Sequence, residues 1–595
     1  MEPRVLKRER KLQLNYDLPH RVRCALVYPV TAPNGSSLVL LGHNNGVTLL
    51  FRGGRRVKQR TAQQPTSTQS NPKDVVMIDE SEEEESQPNG STQMEYEEEE
   101  DETDPETPYP SIIQEIELNL GSAVLHVAAP TLAQQTSQRP AIVKHHAIVA
   151  VHTADGKVSL LQIPMAPPYP TTTRDAVESI LNDRIELPAG KAALKDISVK
   201  VQTRFPKELS QLRTSEPETS ICVAAVSDAL RIWRLPTSAD EIIVEETTLQ
   251  RLPLLSNANK VSFHPSSGSA QALIVDSQSA VRIYDPSAPK DPNARPSSSD
   301  YIPAHPEETG KWIMTFQAPY HVLPRDHPAV PARKKILDAK WILGGRAIMA
   351  LLEDGEWVIW GVSSSVQNNT SGGQTIFHGF LGSSGAAAPA DSGSQSKGSS
   401  KLAPMTPNTR KTKSQNFFSG APKAPGAVSR GGISVAGTDN LHGEADGSVM
   451  LWYDSDVYAI PNFQLFWQRI SNVASNGLYT PGLSHISDIN LMNENITSIS
   501  QFSAKSSASG LGQMNTARDF LVSTEHRFII HQTTRPPVPS KGLFDKFTAT
   551  TSAPSDRDQR MLDAGELDIG GMDRLLDSMA NGGANRPRKV GFAAS

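Results

Sequence analysis

Three observations predict an all-β chain: a seven-bladed WD40-like β-propeller with long disordered inter-blade loops and a short C-terminal helix. One short pattern recurs about seven times: an alternating apolar run, a tight polar turn and a second alternating run. A period of two broken by an Asn-Gly, Asp-Gly or Ser-Asp turn marks a β-hairpin. The excess of Pro, Ser and Gly lies between the copies and not within them. Seven blades at ~40–45 residues each need roughly 300 residues, so a chain of 595 has about half its length left for loops and tails.

The elements follow in order. RVRCALVY (21–28) opens the first blade and LVLLGHNNGVTLLF (38–51) completes it. RGGRRVKQR (52–60) then breaks the pattern. Residues 60–108 are low in complexity, with an acidic core over 79–106. Like charges at that density oppose ordering, so a disordered loop between blades is expected there. AVLHVAAP (123–130) and AIVAVHTADGKVSLLQI (147–163) form blade two, and 171–184 fits one helical turn or a short helix in a connection. Blade three runs from DISVKVQTRF (196–205) through ICVAAVSDALRIWRL (221–235). Blade four spans 260–286, and a Pro-rich linker extends to about 310.

Blade five spans 335–362, with Ile336, Ala339 and Trp341 on an inner strand and Trp357 and Trp360 on the outer hairpin. A Ser/Gly-rich insert over 363–430 is expected to be disordered. Blade six has the weakest pattern, around 432–460; blade seven joins ITSISQFSA (496–504) to FLVSTEHRFIIHQ (520–532). The domain reading is an N-terminal segment, 1–20, then the propeller, 21–532, then a flexible tail, 533–595. In the first, LQLNYDL (12–18) would pair into the last blade and remove an exposed sheet edge. In the tail, Met572, Leu575, Leu576 and Met579 fall at helical spacing and predict an amphipathic helix over 572–580.

The formal net charge of −6 argues against a general nucleic-acid binder, which needs a basic face. Two cysteines, Cys24 and Cys222, cannot form a disulfide framework or a cysteine-rich zinc site. They read as two buried thiols in a reducing compartment. No run of 18 apolar residues suggests membrane insertion.

No catalytic, cofactor or metal signature emerges, and the expectation is a non-enzymatic chain without cofactors. Walker A, Gly-x-Ser-x-Gly, His-Glu-x-x-His and Gly-x-Gly-x-x-Gly patterns are missing from the sequence. His145 and His146 are neighbours, which on a strand sends them to opposite faces. His264, before a proline at a strand end, reads as structural. Asp155-Gly156, Asp354-Gly355 and Asp446-Gly447 read as turns, not as acid–base pairs.

Three linear motifs are candidate binding or modification sites. In DVVMIDESEEEE (74–85), Val75, Val76 and Ile78 form a β-prone cluster followed by Asp79 and Ser81. This resembles a SUMO-interacting motif, whose apolar residues add a strand to the modifier while acids meet its basic rim. Thr406, in TPNTRK, has the Thr-Pro-x-x-basic character of a cell-cycle kinase site. The face of Met572, Leu575, Leu576 and Met579 suits either an internal clasp or a partner's groove. KRERK (7–11) resembles half of a nuclear-localisation signal.

A family resemblance rests on NYDLPHRVRCALVYPVTAPNGSSLVLLGHNNGVTLLFRGGRR (15–56), the acidic insert behind it, PYPSIIQEIELNLGSAVLHVAAP (108–130), KILDAKWILGGRAIMALLEDGEWVIWG (335–361) and the closing RKVGFA (588–593). These resemble the filamentous-fungal form of the thirty-seven-kilodalton nucleoporin, the WD40-type propeller of the Y-shaped outer-ring complex of the nuclear pore. The resemblance implies a scaffold role at the nuclear envelope, docking on the large arm nucleoporin, itself a propeller joined to a helical solenoid, and supporting protein and mRNA transport. The alternative is a WD40 substrate adaptor or chromatin-associated module that reads peptides.

Overall fold

The computed structural model describes residues 1–8, 11–55, 109–133, 139–190, 193–204, 218–238, 241–288, 310–321, 332–362, 375–381, 428–436, 447–472, 483–503 and 518–533. Seven antiparallel sheets account for its strands. The chain begins with β1 (Arg4–Arg8) and β2 (Lys11–Asp17). Blade 1 is β3 (Val22–Val27), β4 (Ser37–His43), β5 (Gly46–Arg52) and β6 (Ile112–Asn119). Blade 2 is β7 (Val124–Ala128), β8 (His146–Thr153), β9 (Val158–Pro164) and β10 (Ile185–Leu187). Blade 3 is β11 (Asp196–Arg204), β12 (Glu218–Val226) and β13 (Ala229–Ser238), whose far edge pairs with β14 (Glu241–Ile242) and β15 (Thr248–Pro253). Blade 4 is β16 (Ala258–Phe263), β17 (Ala272–Asp276), β18 (Ala280–Asp285) and β19 (Lys311–Gln317).

Blade 5 is β20 (Ile336–Ile342), β21 (Ala347–Leu352), β22 (Glu356–Gly361) and β23 (Thr375–Phe380). Blade 6 is β24 (Gly431–Ala436), β25 (Ser448–Tyr453), β26 (Asp456–Ile460) and β27 (Ser484–His485). Blade 7 is β28 (Ser498–Gln501), β29 (Phe520–Ser523) and β30 (Arg527–Thr533), extended by β2 and then β1. The innermost strands β3, β7, β11, β16, β20, β24 and β28 touch in that cyclic order, and β28 meets β3 to close the ring.

Each blade is covered on both faces by its neighbours, and this shapes the sequence. The middle strands are buried along nearly their whole length: seven of the eight residues of β8 are buried, as are all of β5 and β21. A strand buried on both faces reads as a continuous apolar run, LVLL or AIMALL, and not as strict alternation. The cores lie between adjacent blades. Leu12, Leu14, Tyr16, Phe528 and Ile530 of blade 7 pack with Val22, Val39, Leu41 and Leu50 of blade 1; Trp357 and Met349 of blade 5 pack with Leu451 and Tyr458 of blade 6.

The structure corrects several expectations. The acidic stretch was expected between blades, but its flanks belong to one sheet: β5 and β6 pair from Gly46↔Asn119 to Arg52↔Ile112. IIQEIELN alternates as a fourth strand, and Gly53 N–H bonds the Ser111 carbonyl to close the base of the insertion. The Pro-rich linker after 286 is likewise internal to blade 4, because β19 pairs with β18. The Ser/Gly-rich insert is not one disordered piece over 363–430, since TIFHGF within it is β23, paired along β22. His145 ends a short helix, α1 (Ile142–His145), and His146 opens β8, so the two do not share a strand. Cys24 is only partly buried, whereas Cys222 is buried; both are free thiols.

Two further helices cover blade edges. α2 (Thr173–Asn182) lies in the connection from β9 to β10 and buries Ile180 in the core of blades 1 and 2. α3 (Phe463–Asn472) was not foreseen, although PNFQLFWQRI carries its signals. The Asn462 carboxamide caps it by accepting the Leu465 N–H at 2.9 Å. Phe463, Phe466, Trp467 and Ile470 fall at helical spacing and pack on blades 5 and 6.

Candidate interaction surface

Every residue singled out as a candidate site lies outside the described residues: Val75, Val76, Ile78, Asp79 and Ser81, Thr406, and Met572, Leu575, Leu576 and Met579. Asp446 does too. Among the described residues, no group of three or more His, Cys, Asp or Glu side chains could hold a metal ion, and no helix is long and apolar enough to cross a membrane.

One buried charged centre lies on the inner strands. The Asp196 carboxylate of β11 has His126 Nδ1 at 3.7 Å and Lys260 Nζ at 3.9 Å, and His126 stacks on His152. A carboxylate beside histidines has the look of acid–base machinery, but here it is an internal strut. Asp196 Oδ2 accepts the backbone N–H of Val261 on β16. Burial opposes its ionisation, yet Lys260 and His126 hold its pKa below the usual carboxylate value. Burial also keeps both imidazoles neutral, pushing His152 down to about 4 and His126 below its ordinary value.

The device recurs around the ring. Ser198 Oγ accepts Phe263 N–H, and Asp338 Oδ2 accepts Ile433 N–H at 2.9 Å. Ser498 and Ser500 accept the N–H groups of Ala25 and Val27, both at 2.9 Å. Inner strands of neighbouring blades do not share a ladder, so these short polar side chains satisfy their free N–H groups. Lys200 of β11 does the converse. Its ammonium donates to the carbonyls of His264 at 2.6 Å, Ser266 at 2.5 Å and Ser269, pinning the first turn of blade 4.

The outer surface offers three features. On blade 5, Glu356 is buried between Lys334 at 2.5 Å and His378 at 3.1 Å, and Asp354 takes the other side of Lys334 at 2.7 Å. Asp354-Gly355 is also a turn, with Asp354 Oδ1 accepting Glu356 N–H and Gly355 at φ +80°. At the edge of blade 7, β1 carries Arg4, Lys7 and Arg8 with all five residues exposed. It pairs with β2 alone among the described strands.

The third feature is an open groove at the seam of blades 7 and 1, lined by Leu18, His20, Val22, His43, Glu115 and Glu117 among others. Register builds it. Leu41 pairs with Thr48 and Thr48 with Glu117, while the 18–20 linker from β2 forms the facing wall. Sequence reading did not reach it, although IIQEIELN places Glu115 and Glu117 two apart on one strand face and HNNG marks the turn bearing His43.

Comparison with known proteins gives two matches. The nucleoporin NUP37 N-terminal domain family matches residues 15–531, which takes in all seven inner strands. The curated protein described as nucleoporin NUP37, from Chaetomium thermophilum, is 30% identical over 529 residues, covering 80% of this chain and 68% of its own length.

Proposed function

The chain belongs to the nucleoporin NUP37 family, and from that membership we propose that it is a non-enzymatic scaffold subunit of the nuclear pore complex outer ring. In this reading it resides at the nuclear envelope, docks on the large propeller–solenoid arm nucleoporin of the Y-shaped complex, and supports passage of protein and mRNA. The observation that carries the proposal is that the family match runs through the whole ring, from β2 to β30, so the matched unit is the platform itself. The ring uses its buried carboxylates and lysines to join blades, as Asp196 and Asp338 do, which suits a rigid body presented to partners. The adaptor reading gains little from the inner strands, where Asp196, Lys200, Lys260 and Asp338 are engaged within the chain.

Photobleaching tests the assignment. A fluorescent fusion of the full chain should mark the nuclear rim and recover slowly, with the residence of a structural component. Diffuse nuclear or cytoplasmic fluorescence, or recovery as fast as that of a freely diffusing cargo, contradicts it. SUMO binding by residues 74–85 belongs to the same proposal as a regulatory contact. It requires that a 71–90 peptide perturb SUMO resonances and that replacement of Val75, Val76 and Ile78 abolish the effect.

A further inference from the structure

The groove between blades 7 and 1 holds two carboxylates, Glu115 and Glu117. Among the described residues, no lysine or arginine pairs with Glu115 or Glu117, whereas nearby acids are matched: Asp17 with Arg4 and Arg527, Glu525 with Arg21. Glu115 and Glu117 sit two residues apart on β6, hence on one face and roughly 7 Å apart along the strand. Among the described residues, Glu117 is the only acid that His20 and His43 approach, its Oε1 lying 3.8 Å and 3.9 Å from their Nε2 atoms. Both distances are beyond hydrogen-bond reach.

His43 makes this more than an acidic patch. Its side chain is 98% buried, and it stacks on His20 with ring centroids 5.2 Å apart. Nδ1 accepts the Asn45 N–H, which places the proton of the neutral ring on Nε2. That buried Nε2–H lines the groove and has no hydrogen-bond partner among the described residues. An orphaned buried donor costs about 1–3 kcal/mol, and the acceptor that would relieve it, Glu117, is half exposed and not held in place.

We propose that this groove binds an arginine side chain of a partner protein. The guanidinium is planar with five N–H donors, so it spans two carboxylates where a lysine ammonium, a point charge, engages one. Seated on Glu115 and Glu117, it fixes the Glu117 carboxylate over the paired imidazoles and supplies His43 Nε2–H with its missing acceptor. Its stem lies on Leu18, Val22 and Leu41. The inference stands on the geometry of this seam and does not depend on which nucleoporin the propeller meets.

The test uses the full chain with ring-¹³C histidine and N-acetyl-arginine amide as probe, followed by NMR to ~10 mM. His20→Gln assigns one signal of the stacked pair, and loop variant Asn45→Asp the other through its shift. Saturable movement of both signals is expected. N-acetyl-citrulline amide, alike in shape but uncharged, should bind about tenfold more weakly. A Glu115→Gln/Glu117→Gln chain, altered only at exposed positions and with an unchanged melting curve, should lose the response. No saturable shift, an equal response to citrulline, or an undiminished response in the double variant each overturns the proposal.

Discussion

Asp196 on the inner strand of blade 3 accepts the backbone N–H of Val261, on the inner strand of blade 4, at 3.0 Å. The contact crosses from one blade to the next and leaves the carboxylate's second oxygen facing Lys260 and His126. Asp196→Ala should therefore remove the acceptor of a buried N–H and the counter-charge of Lys260 together. The expected loss is about 3–5 kcal/mol, read from the denaturant midpoint at constant slope. Asp196→Asn, which keeps an oxygen for Val261, should lose clearly less. Equal losses would mean that the charge, and not the strut, carries the effect.

The two N-terminal strands should differ sharply in worth. β2 buries Leu12, Leu14 and Tyr16 against blades 7 and 1, and Tyr16 stacks on Phe528 at 4.4 Å. Leu14→Ala should cost about 2–5 kcal/mol, and deletion of residues 1–17 should prevent a cooperative melt. Deleting residues 1–8 removes only a strand exposed throughout and should change stability by less than about 1 kcal/mol. Denaturant curves of the three chains decide; a large cost for the short deletion would assign β1 a packing role that its exposure denies.

Acidification should weaken the fold in a defined window. Burial holds His152 and His531 down at about 4, against about 6.5 in the unfolded chain. Between those values the unfolded state binds more protons, so stability is full above about pH 6.5 and falls as pH drops toward 4. His152 faces His126, which adds to the depression, and Asp155 and Asp196, which oppose it; His531 faces Lys11 and Asp488 in the same senses. Each histidine should contribute on the order of 1–3 kcal/mol to the loss. Melting temperatures at pH 7, 6 and 5 should decline, and His152→Gln should flatten the slope. A pH-independent melt over this range contradicts the account.

Two glycines with positive φ should respond differently to alanine. Gly345, at φ +95°, would place a Cβ 1.9 Å from His264 Nε2, a ring already packed edge-on against Trp341. Gly190, at φ +76°, has nothing within 4 Å. Gly190→Ala should cost about 1 kcal/mol from backbone strain alone, and Gly345→Ala about 2–4 kcal/mol. Similar values in thermal denaturation would show that the His264 ring moves aside freely.

The hairpins were legible because each blade's middle strands are apolar and end in recognisable turns, as in AIVAVHTADGKVSLLQI. Fourth strands were harder. IIQEIELN is half exposed, and both it and TIFHGF sit beyond long insertions and lack a turn tying them to the previous strand, so neither 112–119 nor 375–380 reads as a strand in sequence. Helix α3 was missed because its large apolar residues follow a strand-like run directly, and the cap at Asn462 is a single-residue signal. The seam groove was out of reach for another reason. His43, Glu117 and Leu18 are brought together by ring closure, and no local pattern encodes that. The linear motifs at 75–81, 406 and 572–579 fall outside the described residues, so they stand as sequence readings to be tested on their own.

Affinity purification of the tagged full chain from its host cells, with crosslinking mass spectrometry, tests the central claim most directly. The account predicts stoichiometric recovery, through high-salt washing, of one large protein in which a propeller is joined to a helical solenoid, together with other nucleoporins, and crosslinks from that protein to lysines on the surface of this chain's propeller. Recovery without any nucleoporin, or with only substoichiometric peptide-bearing clients, would contradict it.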